Sequence, residues 1–141
     1  MSRENVERLR SLYADWAEGN FWTTGDYVDP EVEFEWGWAF AEIGGMDSEG
    51  RAHGLNQLTA VWLDWLKPWE RFTVEAEEFV EIDDDRVLVL YRRRARMRGT
   101  DSTIEHKGGT VWTLRDGRAV HIVDFDDRAK ALEAAGLREQ L

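Results

Sequence analysis

The run Thr110-Val111-Trp112-Thr113-Leu114-Arg115-Asp116-Gly117-Arg118-Ala119-Val120-His121-Ile122-Val123-Asp124-Phe125 constrains this chain more than any other stretch. Two alternating apolar segments meet at Arg115-Asp116-Gly117, the pattern of a β-hairpin. Asp124 lies near the far end, between Val123 and Phe125 and two residues beyond Ile122. A carboxylate on a strand among apolar neighbours loses hydration, so it must be paired, protonated or functional. Across the hairpin lies Gly108-Gly109. Two pairing registers are open. A two-residue type I′ turn at Asp116-Gly117 sets Gly109 opposite Asp124. A three-residue loop with Gly117 in the left-handed conformation sets Gly108 there and turns Trp112 and Thr110 onto the Asp124 face. In both, a glycine faces the carboxylate and leaves room for a ligand beside an acid.

At 141 residues the chain fits one domain, 1–141, large enough to bury about two-thirds of its unfolded surface. A net charge of −11 argues against nucleic acid and against an anionic membrane surface. Met1-Ser2-Arg3 leads into a charged helical pattern with no apolar leader, and no apolar run approaches the roughly 20 residues of a membrane span. Cysteine is absent, which removes disulfides, thiolate chemistry and Cys-ligated zinc. The expectation is a soluble cytoplasmic protein.

Tryptophan is over-represented: eight, at Trp16, Trp22, Trp36, Trp38, Trp62, Trp65, Trp69 and Trp112. Large aromatics can fill a core or a dimer interface; they can also wall a pocket, because indole offers flat apolar area and one donor. Trp36 and Trp38 are spaced to share one strand face.

The order is helices first, strands last. Val6, Leu9, Tyr13, Trp16 and Ala17 give Asn5 to Ala17 the spacing of an amphipathic helix, stopped at Gly19-Asn20. A short helical piece around Trp22 to Val28 ends before Pro30. Val32 to Trp36 alternates as a strand, and Ala41 to Gly54 reads as a loop. Leu58, Val61, Trp62 and Trp65 mark a helix over Leu55 to Leu66, with Pro68 beyond. Strands are expected at about Phe72 to Glu81, Val87 to Met97 and Glu105 to Leu114, then the hairpin partner to Phe125. A short helix, Asp127 to Ala135, closes at Gly136.

This α-α-β-α-β-β-β-β order predicts an α+β domain in which a curved, mostly antiparallel sheet wraps around the N-terminal helices. Several short motifs fall in series: Ala17-Glu18-Gly19-Asn20, Arg51-Ala52-His53-Gly54, Leu114-Arg115-Asp116-Gly117-Arg118, Asp124-Phe125-Asp126-Asp127-Arg128, and Ala131-Leu132-Glu133-Ala134-Ala135-Gly136-Leu137. Together they resemble the nuclear-transport-factor-2-like superfamily, a cone-shaped α+β barrel, and especially its SnoaL-like polyketide-cyclase branch. The resemblance implies that Asp124 stands where SnoaL-type cyclases carry a last-strand general acid/base. It also implies departures from two relatives. Limonene-epoxide hydrolase adds an Arg and an Asp two apart on the third strand, positions held here by Tyr91 and Arg93. Ketosteroid isomerase uses a Tyr on the first helix and an Asp on the first strand, positions held here by Leu12 and Phe34, neither of which moves a proton. Both departures argue against those two reactions by those arrangements.

By the period of two, Tyr91 and Arg93 share one strand face, as do Ile122 and Asp124. If Arg93 meets Asp124, the pair favours the carboxylate and makes a ligand anchor; if it points away, desolvation raises the acid toward the range of a general base. A buried Asp-Arg or Asp-Tyr pair that only satisfies the core is the plain alternative. His106 joins the Asp124 face only in the three-residue register, with His121 then pointing outward. Three scattered His give no zinc signature, Asp83-Asp84-Asp85 reads as a solvated turn, and Gly44-Gly45 to Gly50 lacks the residues of a phosphate loop. Arg92, Arg94, Arg96 and Arg98 alternate along one face and are expected to pair with surface acids or meet a dimer partner. The expectation is a homodimer that binds a small, largely apolar molecule, without metal or cofactor. Asp124 is the candidate catalytic residue; Tyr13, Trp16, Trp36, Trp38, Trp62, Tyr91, Arg93, His106, Thr110, Trp112 and Ile122 are the candidate ligand contacts. The competing class is a non-catalytic binding or assembly module with its cavity filled. A cavity of at least about 300 Å³ touching Asp124 separates the two.

Overall fold

The computed structural model describes residues 2–36 and 51–136. Trp38 and most of the expected 41–54 loop, with Gly44, Gly45 and Gly50, lie outside those residues. The spacing of Val6, Leu9, Tyr13 and Trp16 forms helix α1 (Ser2–Ala17), which starts three residues earlier than expected and buries Leu9, Leu12 and Tyr13. It ends as predicted: Gly19 takes φ +78°, and the Gly19 and Asn20 N–H groups donate to Trp16 and Asp15 carbonyls. The helical piece expected over 22–28 is only a 3-10 turn, Thr24–Tyr27. Val28 instead opens strand β1 (Val28–Trp36), with alternate residues buried in its second half.

Strand β2 (Arg51–His53) occupies the end of the stretch read as loop. Helix α2 (Leu55–Leu66) follows and buries Leu58 and Val61. The remaining strands are β3 (Trp69–Glu81), β4 (Arg86–Met97), β5 (Thr103–Arg115) and β6 (Arg118–Phe125). The first three run one to three residues beyond at least one expected end, and β6 ends at Phe125 as expected. Helix α3 (Arg128–Ala134) closes the described residues; its N-cap Asp127 accepts from the Ala129 and Lys130 N–H groups.

The strands form one curved, open sheet in the order β2-β1-β6-β5-β4-β3. Every pairing is antiparallel except β1 with β6, which run parallel. Helices α1 and α2 pack on the concave side, where the main core gathers Leu9, Leu12, Val61, Val74, Val89 and Trp112.

Two expectations are corrected. The hairpin adopts neither register. Asp116 and Gly117 have φ +54° and +78°, a two-residue turn of the I′ kind, and Arg115 pairs with Arg118. The register then shifts between Leu114/Ala119 and Thr113/His121, leaving Val120 as an extra residue. Thr110, not a glycine, therefore stands opposite Asp124, and Gly109 pairs with Phe125. The second correction concerns cover. The last hairpin carries apolar residues on both faces, Val120 and Ile122 on one and Val123 and Phe125 on the other, a pattern that predicts helices over one side and a second copy over the other. In fact α3 lies on the convex side, where Ala131 and Ala135 pack with Leu88 and Leu90. The arginine stripe behaves as expected: Arg92 pairs with Glu75 and Glu77, Arg94 with Glu105, and Arg96 with Glu70. Arg98, beyond the strand, donates to the Lys67 carbonyl.

Candidate ligand-binding site

Three adjacent strands deliver the polar groups. The period of two puts Tyr91 and Arg93 of β4, Thr110 of β5 and Asp124 of β6 on the concave face. Asp124 is buried and receives donors from Tyr91, Thr110 and Arg93. The Tyr91 and Thr110 hydroxyls each donate to Oδ1 at 2.7 Å, and Arg93 Nη2 donates to Oδ2 at 3.0 Å. Nearby, Trp112 Nε1 donates to the Tyr13 hydroxyl at 3.0 Å. The Arg93 guanidinium also sits 4.4 Å from the Tyr91 ring centroid and 5.6 Å from that of Trp36. Burial opposes its charge, yet the charge of Asp124 and the hydrogen bond to it hold the Arg93 pKa above its ordinary value. The carboxylate and guanidinium form a buried ion pair with no net charge.

Gly108 does not leave space for a ligand. A Cβ there would lie 2.6 Å from the Tyr91 hydroxyl oxygen and 2.6 Å from the Phe125 carbonyl oxygen. The missing side chain is what lets Tyr91 reach Asp124. Gly109 serves the other face: its Cβ would lie 2.7 Å from Cβ of Ala131 on α3.

Beside this cluster opens a cavity of about 360 Å³. Of the expected residues, Tyr13, Trp16, Trp36, Trp62, Tyr91, Arg93, Thr110, Trp112, Ile122 and Asp124 line it. Its aromatic wall is continuous: Trp16 stacks on Trp62 with centroids 5.7 Å apart, Tyr13 lies 4.9 Å from Trp16, and Trp36 lies 6.4 Å from Trp62. His106 does not line the cavity, contrary to expectation. It faces Arg93 across the strands, but its Nε2 is turned 2.7 Å from the Asp126 carbonyl oxygen, beyond the Asp124 end. Trp38 lies outside the described residues. His121 points away from the cavity and meets Glu35 at 2.6 Å. Phe21, Trp22, Phe34, Leu58 and Val74 also line the space and were missed. The alternation of β1 already put Phe34 on the face of Trp36, and the ridge of α2 put Leu58 beside Trp62; Phe21 and Trp22 carried no periodic signal. Among the described residues, no group of His, Asp and Glu is arranged to hold a metal, and no helix is long and apolar enough to cross a membrane.

A family model described as the SnoaL-like domain matches residues 9–122, a span from α1 to the Asp124 strand. The chain belongs to that family. Solved structures carry the same fold. An NTF2-like protein of unknown function from Burkholderia pseudomallei K96243 is 22% identical, with a TM-score of 0.74 over 92% of this chain and 95% of that one. TerC, co-crystallised with polyporic acid, is 23% identical, with a TM-score of 0.69 over 94% and 98%. A candidate SnoaL-like polyketide cyclase from Jannaschia sp. CCS1 is 18% identical, with a TM-score of 0.72 over 96% and 93%. No curated protein matches the chain.

In this SnoaL-like domain the two tyrosines at the cavity floor have a measurable signature. Burial, the largest effect, pushes the Tyr13 pKa up, and the hydrogen bond from Trp112 offsets only part of it. Burial and then the negative charge of Asp124 raise that of Tyr91. Both hold their protons more tightly folded than unfolded. Their contribution to stability is therefore full below the ordinary tyrosine value of about 10 and is lost as pH rises beyond it. The urea midpoint is expected to fall above about pH 10, and Tyr91→Phe to flatten that fall. An equally steep alkaline fall in Tyr91→Phe would remove the buried hydroxyl from the explanation.

Proposed function

We propose that this SnoaL-like domain binds a small, largely apolar molecule in the tryptophan-lined cavity, with Asp124 and its donors as a polar floor. The observation that carries this reading is the open volume of about 360 Å³ touching Asp124. Small-molecule sites start at about 300 Å³ and combine apolar walls with a few fixed polar groups. The open volume supports this reading over an assembly module whose cavity is filled. The ion pair suits an anchor that orients a ligand, because both charges already satisfy one another. The expected result is saturable quenching of tryptophan fluorescence by apolar aromatic probes, with polyporic acid, the compound co-crystallised with TerC, as an acidic comparison. Trp62→Ala is expected to weaken that binding by about tenfold, the equivalent of 1.4 kcal/mol. No saturable signal from any such probe would overturn the reading.

A second reading gives Asp124 an acid/base role of the cyclase, isomerase or hydrolase type. It is favoured by the carboxylate at the cavity floor and by a relative described as a candidate polyketide cyclase. Asp124→Asn would then leave ligand affinity nearly intact while turnover falls by roughly 10²-fold.

We also place the domain in the cytoplasm, which suits a cysteine-free chain, and assign it a homodimer. The support is the part of the convex face beyond α3, where Val123 stays partly exposed between Val111 of β5 and Glu35 of β1. Light scattering at micromolar concentration is expected to give twice the 16.4 kDa chain mass. A monomer there would count against the dimer.

A further inference from the structure

The cavity is graded from one end to the other. Its floor residues, including Tyr91, Thr110, Trp112 and Asp124, are buried. At the opposite end Trp22 is 87% exposed and Leu63 48% exposed, yet both line the same space. An indole left almost wholly in water is unusual for so large an apolar group.

The backbone around Trp22 is tied down on both sides. Its N–H donates to the Asn20 side chain at 3.1 Å. The Thr23 hydroxyl donates to Asp15 at 2.6 Å, and Trp16 Nε1 donates to the Thr24 hydroxyl at 2.9 Å. Thr23 and Thr24 thus turn back onto α1, and the Trp22 side chain is left projecting. Across the opening, Leu55, Thr59 and Leu63 recur every fourth residue on α2 and form a single ridge. The two sides meet where a Cβ on Gly25 would lie 3.9 Å from Leu55 Cδ2 and where the Phe21 ring packs edge-on against Trp62, centroids 5.2 Å apart. Leu63 and Trp22 are the exposed large apolar side chains of the lining.

We propose that Trp22 is a specificity-determining residue at the rim, and that the ligand is an elongated apolar molecule that outreaches the enclosed space. Its inner part fills the aromatic cavity. Its outer part leaves along the α2 ridge and covers the Trp22 indole. This rests on the ligand-binding reading and adds the ligand's shape and the place where length is sensed. Covering the rim removes apolar area from water that the free protein leaves exposed, so affinity rises with ligand length until the rim is covered.

A series of para-alkylphenols, from para-ethylphenol to para-octylphenol, tests this by calorimetry with wild type, Trp22→Ala, Trp22→Phe and Trp62→Ala. Trp22 is exposed, so Trp22→Ala is expected to keep the wild-type circular dichroism spectrum and melting temperature. Wild-type affinity is expected to climb along the series. Trp22→Ala should match wild type for the short members and fall behind by about tenfold for the long ones, the equivalent of 1.4 kcal/mol, with Trp22→Phe recovering most of that. Trp62→Ala should weaken every member. A Trp22→Ala effect that is absent, or equal for short and long members, overturns the rim proposal and leaves the cavity reading standing. Failure of every alkylphenol to bind wild type overturns both.

Discussion

Asp124→Asn is expected to lower the stability of the fold by about 3–5 kcal/mol, read as a shift in the urea midpoint at unchanged slope. The amide keeps the size of the carboxylate and still accepts from Tyr91 and Thr110 through its oxygen. It removes the negative charge that faces the buried Arg93 guanidinium, which donates to Asp124 at 3.0 Å. Leaving one member of a buried pair unmatched is the costly case, whereas replacing both by apolar groups of similar volume is often tolerated. Asp124→Asn combined with Arg93→Met is therefore expected to recover a large part of the loss. A variant as stable as wild type would mean that the pair does not hold the floor together.

Gly108→Ala should be the most damaging small change in the sheet, at about 1–3 kcal/mol, the range for forcing one extra carbon into a packed site. The added carbon would meet the Tyr91 hydroxyl and the Phe125 carbonyl oxygen, each at 2.6 Å. The backbone of a central strand yields little, so the phenol must retreat from Asp124. Two residues sharing one contact do not behave additively. In a Tyr91→Phe background the same substitution is expected to be milder, with about 0.5 kcal/mol or more of coupling. Full additivity would place the strain on Phe125 alone.

The sequence was most legible where a periodic pattern met a single face. The spacing in α1 and α2, the shared face of Tyr91 and Arg93 on β4 and that of Ile122 and Asp124 on β6 follow from periods of 3.6 and 2, whereas the meeting of Arg93 with Asp124 does not. What escaped had no local signature. The bulge at Val120 moves the partner of Asp124 from Gly109 to Thr110, and nothing in Ala119-Val120-His121 announces an unpaired residue. The glycine pair neither faces Asp124 nor leaves room for a ligand; its space is filled by protein. Its occupants, the Tyr91 phenol on one side and Ala131 on the other, come from strands and helices distant in sequence. His106 was misassigned because strand parity gives a side and no depth: its ring is on the right face but turns to the Asp126 backbone. Trp22 looked like part of a helix until the turn at Thr24–Tyr27 left it projecting.

Asp124 and the groups that donate to it come from β4, β5 and β6, while α1, the 21–25 segment and α2 supply much of the wall. Two separable sets of residues therefore govern two separable properties. Substitutions along α2 or in the turn can remodel what the cavity accepts without disturbing the ion pair on the sheet. The same separation gives a route by which copies of such a domain could diverge in preference while keeping one inherited anchor, and it marks the helical wall as the place to begin redesign.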